Sequence, residues 1–422
     1  MKALRFNVTV PGFLIARSLG RVTESAVFGR LSGLRLTQVA ETLLPGSSWA
    51  SLRVLGCGIC GSDLGNLSYE SSPSMEPFGS FPATLGHEIL AVVESVGSGV
   101  SRVAPGDRVA IDPMLSCGVR GHSGEAVCPS CRAGRHGTCE MAGEEGALTL
   151  AGGRALGPGL TIGYHRDLPG GWGERMVAHE SQLFRLDPRV SSRAAVLMEP
   201  LSIGVHAVLN APPTRNDRVL VIGSGPIALG TIWALRATGF GGTVIAQTKR
   251  AHEAALASAL GASEVVAPGV EAREALVATG AHAYQPIVGD EVFAGGGFTK
   301  VFDCVGSRSS VDQSLRYASP RATVVLLGCA GELRRLDLSF LWSRELNVRG
   351  FVAYGVEDWR GARRHTMEVT QELILESGAP LERLVTHVFP LSQYRDALSV
   401  AANHGRHEAI RVVLTPRESG LP

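Results

Sequence analysis

Within GCGICGSD, residues 56–63, a thiol, a hydroxyl and a carboxylate (Cys60, Ser62 and Asp63) fall within four residues at the end of an apolar run. Gly86-His87-Glu88 adds an imidazole beside a second carboxylate. Deprotonated sulfur and imidazole are the donors that a cation such as zinc selects, so the two stretches predict one metal site. Cys60 and His87 are two of its ligands, and either Glu88 or Glu199, in Met198-Glu199-Pro200-Leu201, is the third. Three protein ligands leave one position for water or substrate, the arrangement of a catalytic zinc. Asp63 is placed to accept the second ring N–H of His87, and Ser62 to carry a substrate proton. Cys57 forms Cys-x-x-Cys with Cys60, but not at the start of a helix in a βαβ unit, so a thioredoxin-like redox pair is disfavoured.

A second concentration of sulfur lies in one glycine-rich stretch, where Cys117, Cys128, Cys131 and Cys139 follow one another. Four thiolates close a tetrahedral zinc shell, which predicts a structural site that orders an otherwise irregular loop. His122 and His136 in the same loop are expected to be solvated, because four sulfurs suffice. Cys304 and Cys329 end apolar runs and are expected to be small core residues. His206 is expected to be a satisfied core histidine.

Gly223-Ser224-Gly225-Pro226-Ile227-Ala228 follows the apolar run Arg218–Ile222 and opens a helical pattern. That context turns a glycine pattern into a dinucleotide fingerprint, with Gly223 for the tight turn and Gly225 for approach of the pyrophosphate. Where the next strand ends, the fingerprint wants an acid for the ribose hydroxyls, but the chain has Gln247, Thr248, Lys249 and Arg250. Loss of the carboxylate removes repulsion of a 2′-phosphate, and two cations can attract one, which favours NADP over NAD.

These residues need a scaffold. At 422 residues, two domains are expected. The first fifty residues read as short strands and turns, an all-β opening, and residues 89–112 repeat a strand–turn–strand pattern, together predicting a small barrel. Residues 113–173 have almost no periodicity and form a long irregular excursion holding the cysteines. After residue 192, strand-like runs at 218–222, 243–246, 265–267, 300–305 and 323–328 alternate with helical stretches, predicting a doubly wound parallel sheet. Beyond residue 350 come a helix at 359–377, a strand near 384–389, a helix near 393–403 and a β run at 409–414. The expected divisions are 1–192, 193–349 and 350–422, the last returning to the first domain. A formal net charge of +1 gives no electrostatic reason to expect nucleic acid or an anionic membrane as partner. The apolar run at residues 8–15 is interrupted by Pro11 and Gly12 and is too short to span a bilayer, so a cytoplasmic protein is expected.

Taken in order, GICGSD, GHE, the four cysteines, GGWGERMV, EPLSIGVHA, VLVIGSGPIALG and VFDCVGS resemble the zinc-containing medium-chain dehydrogenases of the alcohol dehydrogenase superfamily, over nearly the whole chain. The resemblance implies an α/β protein with a GroES-like β-barrel catalytic domain and a Rossmann domain, an active site in the cleft, one catalytic and one structural zinc, and homodimers or homotetramers. Glu199 in EPLSIG is similar to the sorbitol, threonine and glucose dehydrogenase branches. By the same resemblance Leu327, Gly328 and Cys329 would offer backbone to the nicotinamide carboxamide, and Arg411 would approach the cofactor phosphates. Three departures stand out: extra residues around Gly12–Phe28, a long step from Cys117 to Cys128, and Gly65 where the family often has a relay histidine. A proton path must then run from Ser62 through ribose, water or Asn66. The expected activity is hydride transfer between a secondary alcohol (a polyol, sugar or amino-alcohol) and NADP. The alternatives are an NAD-linked enzyme of simple alcohols or aldehydes, and a non-catalytic nucleotide-binding relative.

Overall fold

A computed structural model describes the whole chain except Arg21, Val22, Arg30 and Ala330, so two of the extra N-terminal residues lie outside the described set. The chain forms two compact units, residues 1–199, 354–371 and 385–422, and residues 200–353 and 372–384. Residues 193–199 therefore group with the first unit and 372–384 with the second.

The first unit is built on a seven-stranded sheet with Trp49–Gly58 at its centre. Ile89–Val96 and Arg175–His179 pair with that strand antiparallel, and Arg411–Thr415 pairs with its last residues. Arg108–Ile111, Leu183–Arg185 and Val385–Pro390 complete the sheet. Trp49, Leu52, Val54, Ile89, Trp172 and Leu414 share its core. The register against Ile89–Val96 slips between Val54 and Gly56, a bulge that bends the strand just before Cys57 and Cys60. A smaller sheet joins Leu34–Gln38, Lys2–Phe6 and Ala83–Thr84.

The opening is not all β. Val10–Leu19 is a helix, because Thr9 caps it by accepting the Gly12 N–H at 3.1 Å and Pro11 falls in its first turn. Proline breaks a helix interior but starts one well, having no N–H to leave unpaired. Further along, the helix expected from residue 359 begins only at Thr366. Val356–Trp359 and Ala362–His365 instead make a hairpin, with Arg360 at φ 50° and Gly361 at φ 81° in its turn. Two positive φ values in succession match the right-handed twist of hairpin strands, and Arg-Gly supplies them here in place of the commoner Asn-Gly.

The second unit is a six-stranded parallel sheet in the order Glu264–Val266, Thr243–Gln247, Arg218–Ile222, Phe298–Asp303, Ala318–Leu326, Asn347–Gly350. In chain order this is 3-2-1-4-5-6, a doubly wound sheet whose direction reverses beside Arg218–Ile222, where such folds bind dinucleotides. The expected run at 193–209 divides into a single turn, Ser192–Ala195, and the helix Met198–Asn210. Among the described residues no helix is long and apolar enough to cross a membrane.

Candidate active site

The bulged strand ends at Gly58, and Cys60 caps the short helix Gly61–Leu67. Asp63 folds back so that its Oδ2 accepts the Cys60 N–H at 2.9 Å, which fixes the turn and the thiol's position. Gly86, at φ 90°, lets the next strand pass close by: a Cβ there would meet Trp172 at 2.3 Å and Cys57 Sγ at 2.7 Å. Cys57 is fully buried in the core, as a packing residue. The donor atoms of Cys60, His87 and Glu88 all lie within 4.8 Å of one another. An occupied tetrahedral zinc with bonds of about 2.0–2.3 Å needs its donors roughly 3.5 Å apart, so this thiol–imidazole–carboxylate set fits the ion.

Asp63 does not meet His87 directly. Its Oδ1 is 3.6 Å from His87 Nδ1, beyond hydrogen-bond reach. Between them stands Tyr164, whose hydroxyl is 2.9 Å from Asp63 Oδ1, 3.0 Å from Ser62 Oγ and 3.3 Å from His87 Nδ1. The sequence reading missed this residue, which lies in the aperiodic excursion. Its backbone is pinned from both sides: the Tyr164 carbonyl accepts the Ser80 N–H at 2.8 Å, and Gly163 packs on the carbonyl of Gly86. Burial would lower the His87 pKa, but the charge of Asp63 beside it and contact with Cys60 raise it well above the ordinary value.

Glu88 is buried, and neither of its carboxylate oxygens has an aligned hydrogen bond. Arg411 Nη1 stands 2.9 Å from Glu88 Oε2 and also donates to the Ile59 carbonyl at 2.6 Å. The contacts of the Arg411 guanidinium are thus with Glu88 and Ile59. Glu199 lies outside the tight three-donor group, and its Oε1 accepts from the Tyr354 hydroxyl at 3.4 Å. Burial pushes its carboxyl up to about 8, so it is mostly protonated at neutral pH.

The four lobe cysteines also converge within 4.8 Å, Cys117 included despite its long step to Cys128. Their sulfurs accept backbone N–H groups, Cys128 to Cys117 at 3.3 Å, Cys117 to Cys131 at 3.4 Å and Cys131 to Cys128 at 3.4 Å. Such donors stabilise thiolate charge, so this shell too fits zinc. A third grouping, Asp112, His136 and His365, also has donor atoms within 4.8 Å. There Nδ1 of His365 accepts the Met367 N–H at 3.2 Å, so a neutral ring carries its proton on Nε2, 3.2 Å from Asp112 Oδ2. A protonated nitrogen is a donor, and the group is an acid–histidine pair at the start of a helix. His136, expected to be solvated, is instead half-buried and stacked on His365 with centroids 5.8 Å apart.

In the second unit Gly223 takes φ 125° and Gly225 caps the twelve-residue helix Pro226–Ala237. A Cβ on Gly225 would meet nothing within 4 Å, so the face toward Ser224, Pro226 and Ile227 is open to a close-approaching phosphate. Gln247 is buried and locked to Gln313 by two reciprocal amide bonds of 3.0 and 2.7 Å. Thr248 is buried. Glu253, itself buried, accepts the Lys249 and Arg250 N–H groups at 3.0 and 3.1 Å and binds Arg250 Nη1 at 2.9 Å. Burial would raise its pKa, but these bonds and one from Ser224 lower it. The Lys249 side chain is exposed. Leu327 and Gly328 direct their N–H groups to the Asp303 carbonyl at 2.8 and 3.1 Å. Cys304 is half-buried and Cys329 is exposed rather than in the core, because the strand ends at Leu326. His206 is half-buried, bonded to Asn210 and edge-on to Phe351.

A GroES-like unit carrying a thiol–imidazole–carboxylate cluster, with a six-stranded dinucleotide-type sheet in the same chain, defines an NAD(P)-linked oxidoreductase of the alcohol dehydrogenase type. Residues 46–188 match the alcohol dehydrogenase GroES-like domain and residues 226–367 the zinc-binding dehydrogenase family, and the chain belongs to the zinc-containing medium-chain dehydrogenases. L-idonate 5-dehydrogenase of Vitis vinifera is 27% identical over 409 residues, covering 93% of this chain and 98% of that relative. Sorbitol dehydrogenase of Arabidopsis thaliana is 27% identical over 386 residues, covering 90% and 93%. A solved structure from Sinorhizobium meliloti 1021, described as a zinc-binding dehydrogenase bound to NADP, is 26% identical with a TM-score of 0.68, covering 98% of this chain and 99% of that one.

Proposed function

We propose that this chain oxidises a secondary alcohol of the polyol, sugar or sugar-acid class, and reduces the matching carbonyl, with zinc at Cys60, His87 and Glu88 and with NADP as cofactor. The observation that carries the proposal is the convergence of those three donors, with the Glu88 carboxylate, ion-paired to Arg411 but without an aligned hydrogen bond, among them. Bound there, zinc supplies Lewis acidity toward an alcohol or carbonyl oxygen, and nicotinamide accepts or returns the hydride. Ser62 takes up the substrate proton, Asp63 holds the Cys60 turn, and Arg411 offsets the charge of Glu88. Glu199, whose carboxyl burial raises in the metal-free protein, stays outside the three-ligand set and is bonded by Tyr354. A second zinc at Cys117, Cys128, Cys131 and Cys139 orders the excursion.

The polyol and sugar-acid class is supported by the relatives named for L-idonate and sorbitol and by the glutamate at position 199. NADP is supported by the missing acid at Gln247, by Lys249 and by the NADP-bound relative. Capture of Arg250 by Glu253 leaves one uncommitted cation instead of two, which favours NAD as the second reading. The test is a panel of polyols, sugar acids and simple secondary alcohols with NADP⁺ and NAD⁺, on protein whose zinc content has been measured. Turnover with a polyol or sugar acid that Cys60→Ser abolishes is expected. Zinc-replete protein inactive on the whole panel, or a fully active Cys60→Ser variant, would overturn the proposal.

A further inference from the structure

Tyr164 touches three residues of the candidate site with one oxygen, and that oxygen has one proton to give. Asp63 Oδ1 is 2.9 Å away, and a carboxylate oxygen only accepts. A charge-assisted bond outcompetes one to a neutral hydroxyl or imidazole, so the phenol proton goes to Asp63. The two remaining neighbours must then donate. The Ser62 hydroxyl, 3.0 Å away and able to rotate, is left to turn its own proton toward the phenol oxygen once Asp63 has taken the phenol's, and His87 Nδ1, at 3.3 Å, is left to direct one the same way. One donor and two acceptor positions are all used, which is the full capacity of a phenol.

From this geometry we infer that Tyr164 is the positioning residue that sets the hydrogen-bond direction of Ser62 and the tautomer of His87. With its own proton turned to Tyr164, Ser62 presents lone pairs outward and is ready to accept a proton from an alcohol. With the Nδ1 proton held toward Tyr164, Nε2 is the ring nitrogen left to give up its proton and bind a metal. Both states are the ones hydride chemistry at this site needs, and one hydroxyl imposes them together. Position 65, one turn along the same helix, is a glycine, so no side chain there can orient Ser62 instead. The tilted ring of Tyr164, 5.5 Å from that of His87, and the pinned Gly163-Tyr164 backbone keep the hydroxyl in place.

The inference rests on the proposed zinc-dependent alcohol oxidation. Its test is a double-mutant cycle on the full-length, zinc-loaded protein with Tyr164→Phe, Ser62→Ala and both changes, reading kcat, KM, zinc content and Tm. Tyr164→Phe removes only the hydroxyl and is expected to lower kcat about 10–100-fold, with KM changing less than threefold and zinc retained. Combined with Ser62→Ala, it is expected to add less than threefold to the loss from Ser62→Ala alone, since both act through one hydroxyl. An unchanged kcat in Tyr164→Phe, fully multiplicative losses, or a loss explained by departed zinc would each overturn the role at Ser62. An active Cys60→Ser control would instead overturn the zinc reading beneath it, which separates the two failures.

Discussion

The carboxylate of Glu88 lies directly over Gly58, so close that a Cβ on Gly58 would stand 1.9 Å from Oε2. Glycine at the end of the central strand is therefore a condition for Glu88 to reach the cluster with Cys60 and His87. Gly58→Ala is expected to drive the carboxylate aside, costing about 1–3 kcal/mol in overpacking and lowering turnover at least about tenfold. Metal analysis and Tm of the variant beside wild type would check this; full zinc content with unchanged activity would contradict it.

The four-cysteine lobe holds an excursion that has almost no strand pairing of its own, only isolated bridges such as Met114 to Thr161 and Thr149 to Ala155. Cys131→Ser removes one proposed ligand and one N–H acceptor together. A loss of about 2 kcal/mol would lower Tm by roughly 4–8 °C, and limited proteolysis should open new cuts within residues 113–173. Unchanged Tm and an unchanged cleavage pattern would argue against a structural metal there.

Arg250 and Lys249 look equivalent in the sequence, yet only Arg250 is held by Glu253. Lys249→Ala should weaken NADPH binding about tenfold, close to 1.4 kcal/mol, and leave NADH within about twofold. Arg250→Ala should move NADPH by less than about threefold. Fluorescence titration of both cofactors against both variants decides the matter, and equal losses for the two cofactors would remove the case for a 2′-phosphate.

Glu199 gives a pH signature in the metal-free protein. Its folded-state carboxyl is raised to about 8 from an ordinary 4.5, so the folded chain holds a proton that the unfolded chain releases across that interval. Stability from this group is fully present below pH 4.5 and is lost as pH rises toward 8. Urea midpoints of the apo-protein should fall more steeply from pH 5.5 to 8 in wild type than in Glu199→Gln. Parallel slopes would show that the carboxyl titrates normally.

Chemistry carried by near neighbours in the chain was the most legible part of this protein. Cys60 with Ser62 and Asp63, the glycines from Gly223, and the strand–helix alternation that follows are all local, and they led to the right fold. What escaped depended on tertiary approach. Tyr164 lies in a stretch without periodicity and meets Ser62 from 102 residues away; its only local mark is the glycine before it. Arg250 read as a free cation because its capture needs the helix that brings Glu253 back. Pro11 reads as a break in the sequence, yet the Thr9 cap makes it a helix start. The helix misplaced at residue 359 turned on Arg360 taking a left-handed conformation, which few sequence rules assign to arginine.

The strand Arg411–Thr415 closes beside Cys57 and Gly58, and the Arg411 guanidinium reaches an Ile59 carbonyl 352 residues earlier in the chain. On the ribosome, at about 5–20 residues per second, the GICGSD turn would emerge roughly 20–70 s before the arginine that braces it. During that interval Cys60 and His87 are available to metal, oxidant or chaperone without their final wall. A nascent chain halted before residue 411 would thus carry Cys60, His87 and Glu88 without the contact that holds them to one shape.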